Sequence, residues 1–195
     1  MEIPLRLKKL ADGRVVYGIP LWYRIMMIVI IAAVAGAMAL TGENPGIAAW
    51  IILAVLIFGL LYEERWDIDP KACTVVHRGG LLIAPRRTVI EFDRIEGIAL
   101  TALARGTVPG GESDRKQSRE AFEQMEGKEE IQPKDGFFSK LGAKRSFINL
   151  VLCTTDGSDY LVDTCQARRA SRLKTAGASL AGACGKPFGQ KIPNL

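Results

Sequence analysis

Histidine is nearly absent from this 195-residue chain, which has only His77. Acid–base and metal chemistry depend on converging imidazoles, carboxylates and thiolates, and a lone histidine on a strand is ordinarily structural or exposed. No His/Cys/carboxylate cluster has metal-ligand spacing, no glycine loop is built to cradle phosphate, and no G-x-S-x-G sequence occurs. The four cysteines, Cys73, Cys153, Cys165 and Cys184, lack C-x-x-C spacing. In a reducing compartment they read as small buried apolar residues. The carboxylate pairs Glu63-Glu64 and Glu129-Glu130 read as solvated charge. The sequence thus predicts no enzyme, no metal site and no cofactor.

Charge is the next absence, and it is local. Residues 21–40 carry one charge, Arg24, and residues 47–62 carry none. The first run has the length needed to cross a hydrocarbon layer as a helix. The second is short, so local thinning, or Trp50, Tyr62 and Trp66 at the interfaces, is expected to make up the difference. Between them lies Thr41-Gly42-Glu43-Asn44-Pro45-Gly46, which has no cation. The expectation is a transmembrane helical hairpin over residues 21–62. Neither run holds His, Asn, Gln or a central charge, which argues against transport.

Orientation follows from the cations on either side. Arg6, Lys8, Lys9, Arg14 and Arg24 precede or open the first run, and Arg65, Lys71 and Arg78 follow the second. Cationic flanks stay in the cytosol, so both termini and the main domain are expected there. The rival is a cleaved signal peptide, since Ala35-Gly36-Ala37-Met38-Ala39 resembles the small residues of a cleavage site. In the first run, Ala32 with Gly36 and Ala33 with Ala37 put small residues four apart, letting another backbone approach. That neighbour is either the second run or a helix of another membrane protein.

Hydrophobic residues make up 48% of the chain, yet the mean hydropathy is only +0.13. Such a chain suits a small anchor plus one domain. The net charge is +5 and the isoelectric point near 9.1. The basic residues are dispersed with few aromatics among them, which fits a membrane-proximal surface and no nucleic-acid partner.

Residues 1–20 contain Asp12-Gly13 between two short extended stretches, a cytosolic β-hairpin or a basic arm lying on lipid. From residue 66 the texture is short strands and turns: 66–69, 74–78, a Gly79-Gly80 turn, 81–84, 88–92, a corner at 93–96, and 97–103. Residues 104–145 form a polar insertion rich in glycine, proline and charge, with one short helix between 113 and 125. Its default reading is a solvated loop, and Phe137 and Phe138 are the residues that could anchor it. Strands at 147–154 and 159–162 flank the Asp156-Gly157 turn. A helix follows with Ala167, Ala170, Leu173, Gly177, Leu180, Ala181 and Cys184 on one face, capped by Asp163 or Thr164 and ended by Gly185-Lys186-Pro187. Residues 189–195 read as a tail.

Two groups of arginines are candidate contacts for anionic lipid or a partner. Arg78, Arg86 and Arg87 are expected at hairpin ends on one rim of the sheet. Arg168, Arg169 and Arg172 are expected in the early turns of the last helix, where a cation opposes the helix dipole. Ordinary surface charge is the plain alternative for both.

Seven short antiparallel strands closed by one C-terminal helix is the order of a pleckstrin-homology-like (PH-like) domain. The patterns Trp66-Asp67-Ile68-Asp69, Val76-x-Arg78-Gly79-Gly80, Ile90-x-Phe92-x-x-Ile95-x-x-Ile98 and Leu152-x-Thr154-x-Asp156-Gly157 resemble bacterial membrane-anchored proteins carrying such a domain. The layout is also similar to the photosystem I assembly protein of chloroplasts and cyanobacteria. The resemblance covers residues 20–103 and 146–188, and the insertion departs from it. It implies an α+β fold, a helical hairpin followed by a PH-like domain over residues 63–188, in the inner membrane of a bacterium. It also implies a non-enzymatic role as scaffold, assembly factor or accessory subunit, with the bilayer and other membrane subunits or further copies as partners. The alternative is a tethered sensor of anionic lipid head groups.

Overall fold

The computed structural model describes residues 5–40, 46–103, 112–126 and 147–191. Most of the expected loop between the apolar runs (41–45), the Glu129-Glu130 pair, Phe137 and Phe138 lie outside the described residues. So does the insertion except for 112–126. The described chain is α+β, with four helices and two sheets of five and four strands. It divides into two compact units, Ile3–Ile90 and Glu91–Leu195.

In the first unit, β1 (Arg6–Lys9) and β2 (Val15–Gly18) form a hairpin. Its turn is closed by Asp12, which accepts from the Arg14 backbone N–H at 3.1 Å and from its guanidinium, and by Gly13 at φ +90°. The hairpin is not a separate arm. β2 pairs antiparallel with β3 (Tyr62–Asp69), placing Tyr17 opposite Trp66 and Gly18 opposite Arg65. The sheet order is β1-β2-β3-β4-β5, with β4 at Thr74–Leu81 and β5 at Arg86–Glu91. Val15, Tyr17, Trp66, Ile68, Val75 and Ile90 supply its buried side chains, at the alternating positions a one-sided sheet requires.

The apolar runs are therefore an insertion between two neighbouring strands. Helix α1 is Leu21–Leu40 and α2 is Ile47–Leu61. The ladder runs on past β2 to within two residues of α1, since Ile19 N–H donates to the Glu64 carbonyl at 3.2 Å. Gly18 is required here: a Cβ would stand 2.9 Å from the Glu64 oxygen, a backbone atom that cannot step aside. The start of α1 and the end of α2 are thus tied side by side. The helices pack on each other with Met27 of α1 against Gly59 of α2.

Three expectations about this region change. Trp66 does not face an interface; it is 2% exposed and belongs to the sheet. The strand it sits on begins at Tyr62, directly after α2, so β4 must run on to Leu81 to pair with it. Gly79-Gly80 consequently lies within the ladder, with Gly80 at φ +121°, and residues 82–84 form the turn rather than part of a strand.

In the second unit, β6 (Ile95–Leu103), β7 (Phe147–Thr154) and β8 (Asp159–Gln166) are antiparallel, in the order β8-β7-β6-β9. The last strand, β9 (Phe188–Gln190), pairs parallel with β6, so the expected tail begins as an edge strand. Lys191 holds it by donating its backbone N–H to Leu100 and pairing with Asp159 at 2.9 Å. Within the insertion, α3 (Glu112–Glu126) fulfils the expected short helix, but it is no solvated loop. Ser118, Ala121 and Phe122 are buried at helical spacing, and the helix packs on β6 and β7.

The final helix α4 spans Ser171–Cys184 and ends on Gly185 in the left-handed region. Its start differs from the expected cap at Asp163 or Thr164, because β8 continues through Gln166 with Cys165 pointing inward. A 3-10 turn, Ala167–Arg169, then leads into the helix. Gly177 sets how closely α4 lies on the sheet: a Cβ would overlap the Phe188 ring and stand 2.9 Å from Leu150 Cδ1. Gly177→Ala is expected to destabilise the fold by about 1–3 kcal/mol. Gly182→Ala, with open space around the added carbon, should be neutral or mildly stabilising. Denaturation midpoints of the two variants check the contrast.

Candidate functional site

The helix pair leaves most of its apolar side chains exposed. Met27 is the single buried residue of α1 among the described residues, and α2 has none. Leu21, Ile25, Val29, Ile47, Ile51, Val55 and Phe58 are all more than half exposed. A contiguous apolar area of this kind is not stable against water and calls for a lipid or protein covering. By length and composition α1 alone is a candidate to cross a membrane, with α2 a shorter apolar helix. Trp22 and Trp50 are exposed near the starts of α1 and α2, and Tyr62 follows α2 at 36% exposure.

The half-buried residues Ile31, Val34 and Met38 continue the Met27 face of α1 that turns toward α2. Ala32, Ala33, Gly36 and Ala37 are exposed. Arg24 Nε is buried with no hydrogen-bond partner among the described residues.

The first arginine group is only partly brought together. Arg78 lies inside β4 opposite Arg65, not at a hairpin end. Asp67 sits between them, 2.8 Å from the Arg65 guanidinium and 3.9 Å from Arg78 Nε. Arg86 and Arg87 begin β5, are exposed, and have no ion pair among the described residues. The second group divides likewise. Arg168 and Arg169 are exposed in the 3-10 turn before α4. Arg172 is in the first turn of α4 and reaches Asp163 at 3.4 Å. That carboxylate offsets the unfavourable meeting of a cation with the helix N-terminus, so Arg172 has an internal reason for its position.

Among the described residues, no group of three or more His, Cys, Asp or Glu side chains could hold a metal ion. Cys153, Cys165 and Cys184 are buried as expected, whereas Cys73 is exposed in the β3–β4 turn at φ +51°. Burial pushes the Cys184 thiol up to about 11 and raises that of Cys153, which keeps both protonated and unreactive near neutrality. Asp156 is held well below the usual carboxylate range by hydrogen bonds from Thr154, Ser158 and Arg94, which fix the β7–β8 turn.

His77 is explained by packing. Its ring stacks on Trp66 with centroids 4.1 Å apart and planes at 21°, and burial pushes its pKa below the ordinary value. The unfolded chain therefore binds this proton more readily than the folded one. The stability associated with the neutral ring is complete above about pH 6.5 and is lost as pH falls from there through the lower folded value. Thermal midpoints should drop between about pH 7.5 and pH 5.5, and His77→Phe, which keeps the stack, should flatten that drop.

Comparison with known proteins returns no matching family model and no similar curated protein.

Proposed function

We propose that this protein is a non-enzymatic, multi-pass membrane protein serving as a scaffold, assembly factor or accessory subunit of a larger membrane complex. α1 and α2 cross the inner membrane of a bacterium as a hairpin, and the two sheets stand at its cytosolic face. The observation that carries this reading is the insertion of an exposed apolar helix pair between β2 and β3. The strands on both sides of it belong to one ladder, so the flanking chain must lie on one side of any membrane the pair crosses. Cleavage near Ala39 would remove β1 and β2 together with the buried Val15 and Tyr17, which favours an anchor over a signal peptide.

The order of antiparallel strands followed by α4 supports a PH-like domain, with α3 as an addition to it. The exposed small residues Ala32, Ala33 and Gly36 suit close approach by a helix of another subunit or a second copy. Purification in mild detergent from native membranes at native expression should recover defined membrane proteins with it. Repeated recovery of the protein alone would contradict the scaffold role.

Arg86 and Arg87, exposed and without an ion pair among the described residues, favour a second reading, in which the domain recognises anionic head groups. A soluble form of the domain that binds neutral and anionic vesicles equally at low salt would rule it out.

A further inference from the structure

The turn between β4 and β5 has the wrong chemistry for a turn in water. Ala84 N–H donates to the Leu81 carbonyl at 2.9 Å, so Leu82 and Ile83 occupy the two central positions. Gly, Asn, Asp, Ser and Pro are the usual residues there. Here the pair is bulky and apolar, with Leu82 41% and Ile83 82% exposed.

The position of this turn gives the reason. Tyr62 pairs with Leu81, and one step further Leu82 N–H donates to the carbonyl of Leu61, the last residue of α2, at 2.8 Å. The apolar tip is hydrogen-bonded to the end of the helix itself. With 15 residues, α2 is about 22 Å long, short of a hydrocarbon layer of about 30 Å. At its other end the sequence turns polar, with Thr41-Gly42-Glu43-Asn44-Pro45-Gly46. Among the described residues, Leu82 and Ile83 add exposed apolar surface at the end of α2 next to the sheet. Arg86 and Arg87 follow after Ala84 and Pro85 and are exposed without ion pairs among the described residues. An apolar edge bordered by cations is the composition that settles at the boundary between acyl chains and anionic head groups.

We propose that the Leu82–Ile83 tip inserts into the lipid interface beside α2, as a second, non-spanning anchor that fixes the first sheet's height and tilt at the membrane. This rests on the membrane-spanning reading of α1 and α2. Its occupant is the lipid itself, with Arg86 and Arg87 meeting phosphates above the inserted tip.

The test uses the full chain in vesicles of phosphatidylcholine and phosphatidylglycerol, with a nitroxide on one cysteine at a time. Native Cys73, at the opposite end of the β3–β4 ladder, is the aqueous reference. Ile83→Cys and Val55→Cys, each with Cys73→Ser, report the tip and the middle of α2. Both altered positions are more than half exposed, so the substitutions leave packing intact. Collision with oxygen against a water-soluble nickel chelate gives depth. The Ile83→Cys label is expected about 5–10 Å into the interface, shielded from nickel relative to Cys73, with the Val55→Cys label deeper still. An Ile83→Cys label as open to nickel as Cys73, while Val55→Cys is shielded, overturns the tip proposal and leaves the spanning helices standing. A Val55→Cys label open to nickel overturns both.

Discussion

Replacing residues 20–63 with an Asn-Gly turn should convert the protein into a water-soluble one that keeps its sheets. The replaced stretch holds α1, α2 and the first two residues of β3, and its ends are already neighbours. Ile19 donates to Glu64 and Gly18 lies opposite Arg65, so a two-residue turn of the kind that closes hairpins can join them. β1, β2 and β3 then become a simple meander. The shortened chain loses Trp22 and Trp50, leaving Trp66 alone of the three tryptophans. Its fluorescence should be that of a buried indole and should shift to the red only on unfolding. The variant is expected in the supernatant without detergent, where the full chain stays with the membrane. Aggregation of the shortened chain with an exposed-indole spectrum would mean that the helices are part of the fold rather than an insertion in it.

Trp66→Ala should cost about 3–5 kcal/mol, the usual loss for deleting a large buried aromatic side chain. Trp66 is 2% exposed, lies opposite Tyr17 of β2 and His77 of β4, and stacks on the latter. Its removal would leave a cavity shared by the three strands that frame the helix insertion. A tryptophan serving as an interfacial anchor would be nearly neutral in the shortened soluble form. Chemical unfolding of that form with and without the substitution separates the two roles, and an effect below about 1 kcal/mol would contradict the core assignment.

Several features were legible in the sequence because local chemistry decides them. Asp12-Gly13, Asp156-Gly157 and Gly185 are turn or cap residues whose backbone needs are met by no better alternative, and each sits where expected. The 3.6-residue spacing of Leu173, Gly177, Leu180, Ala181 and Cys184 located α4, and the absence of charge located α1 and α2.

What was not legible depended on pairing across distance. Nothing in residues 1–20 announces that their partner is β3, beyond a helical insertion of some forty residues. Without that partner the Glu63-Glu64-Arg65 stretch looks like a polar exit from a membrane rather than the start of a strand. The same blindness misplaced Gly79-Gly80 as a turn. Arg78 and Arg172 looked available for ligands because Asp67 and Asp163, their carboxylate neighbours, become adjacent only through strand register and through the path from β8 into α4. The amphipathic face of α3, with Ser118, Ala121 and Phe122, was present in the sequence but outweighed by the charge around it.

The central claim is that α1 and α2 cross a membrane and return, with the sheets on one side and the link between the helices on the other. Native Cys73 is exposed while Cys153, Cys165 and Cys184 are buried, so a membrane-impermeant maleimide reads one native position on the folded protein. Glu43→Cys, made with Cys73→Ser, reads the link. In sealed vesicles of native orientation the reagent should label Glu43→Cys and spare Cys73, and in inverted vesicles it should label Cys73 and spare Glu43→Cys. Labelling of both positions from the same side would contradict the account.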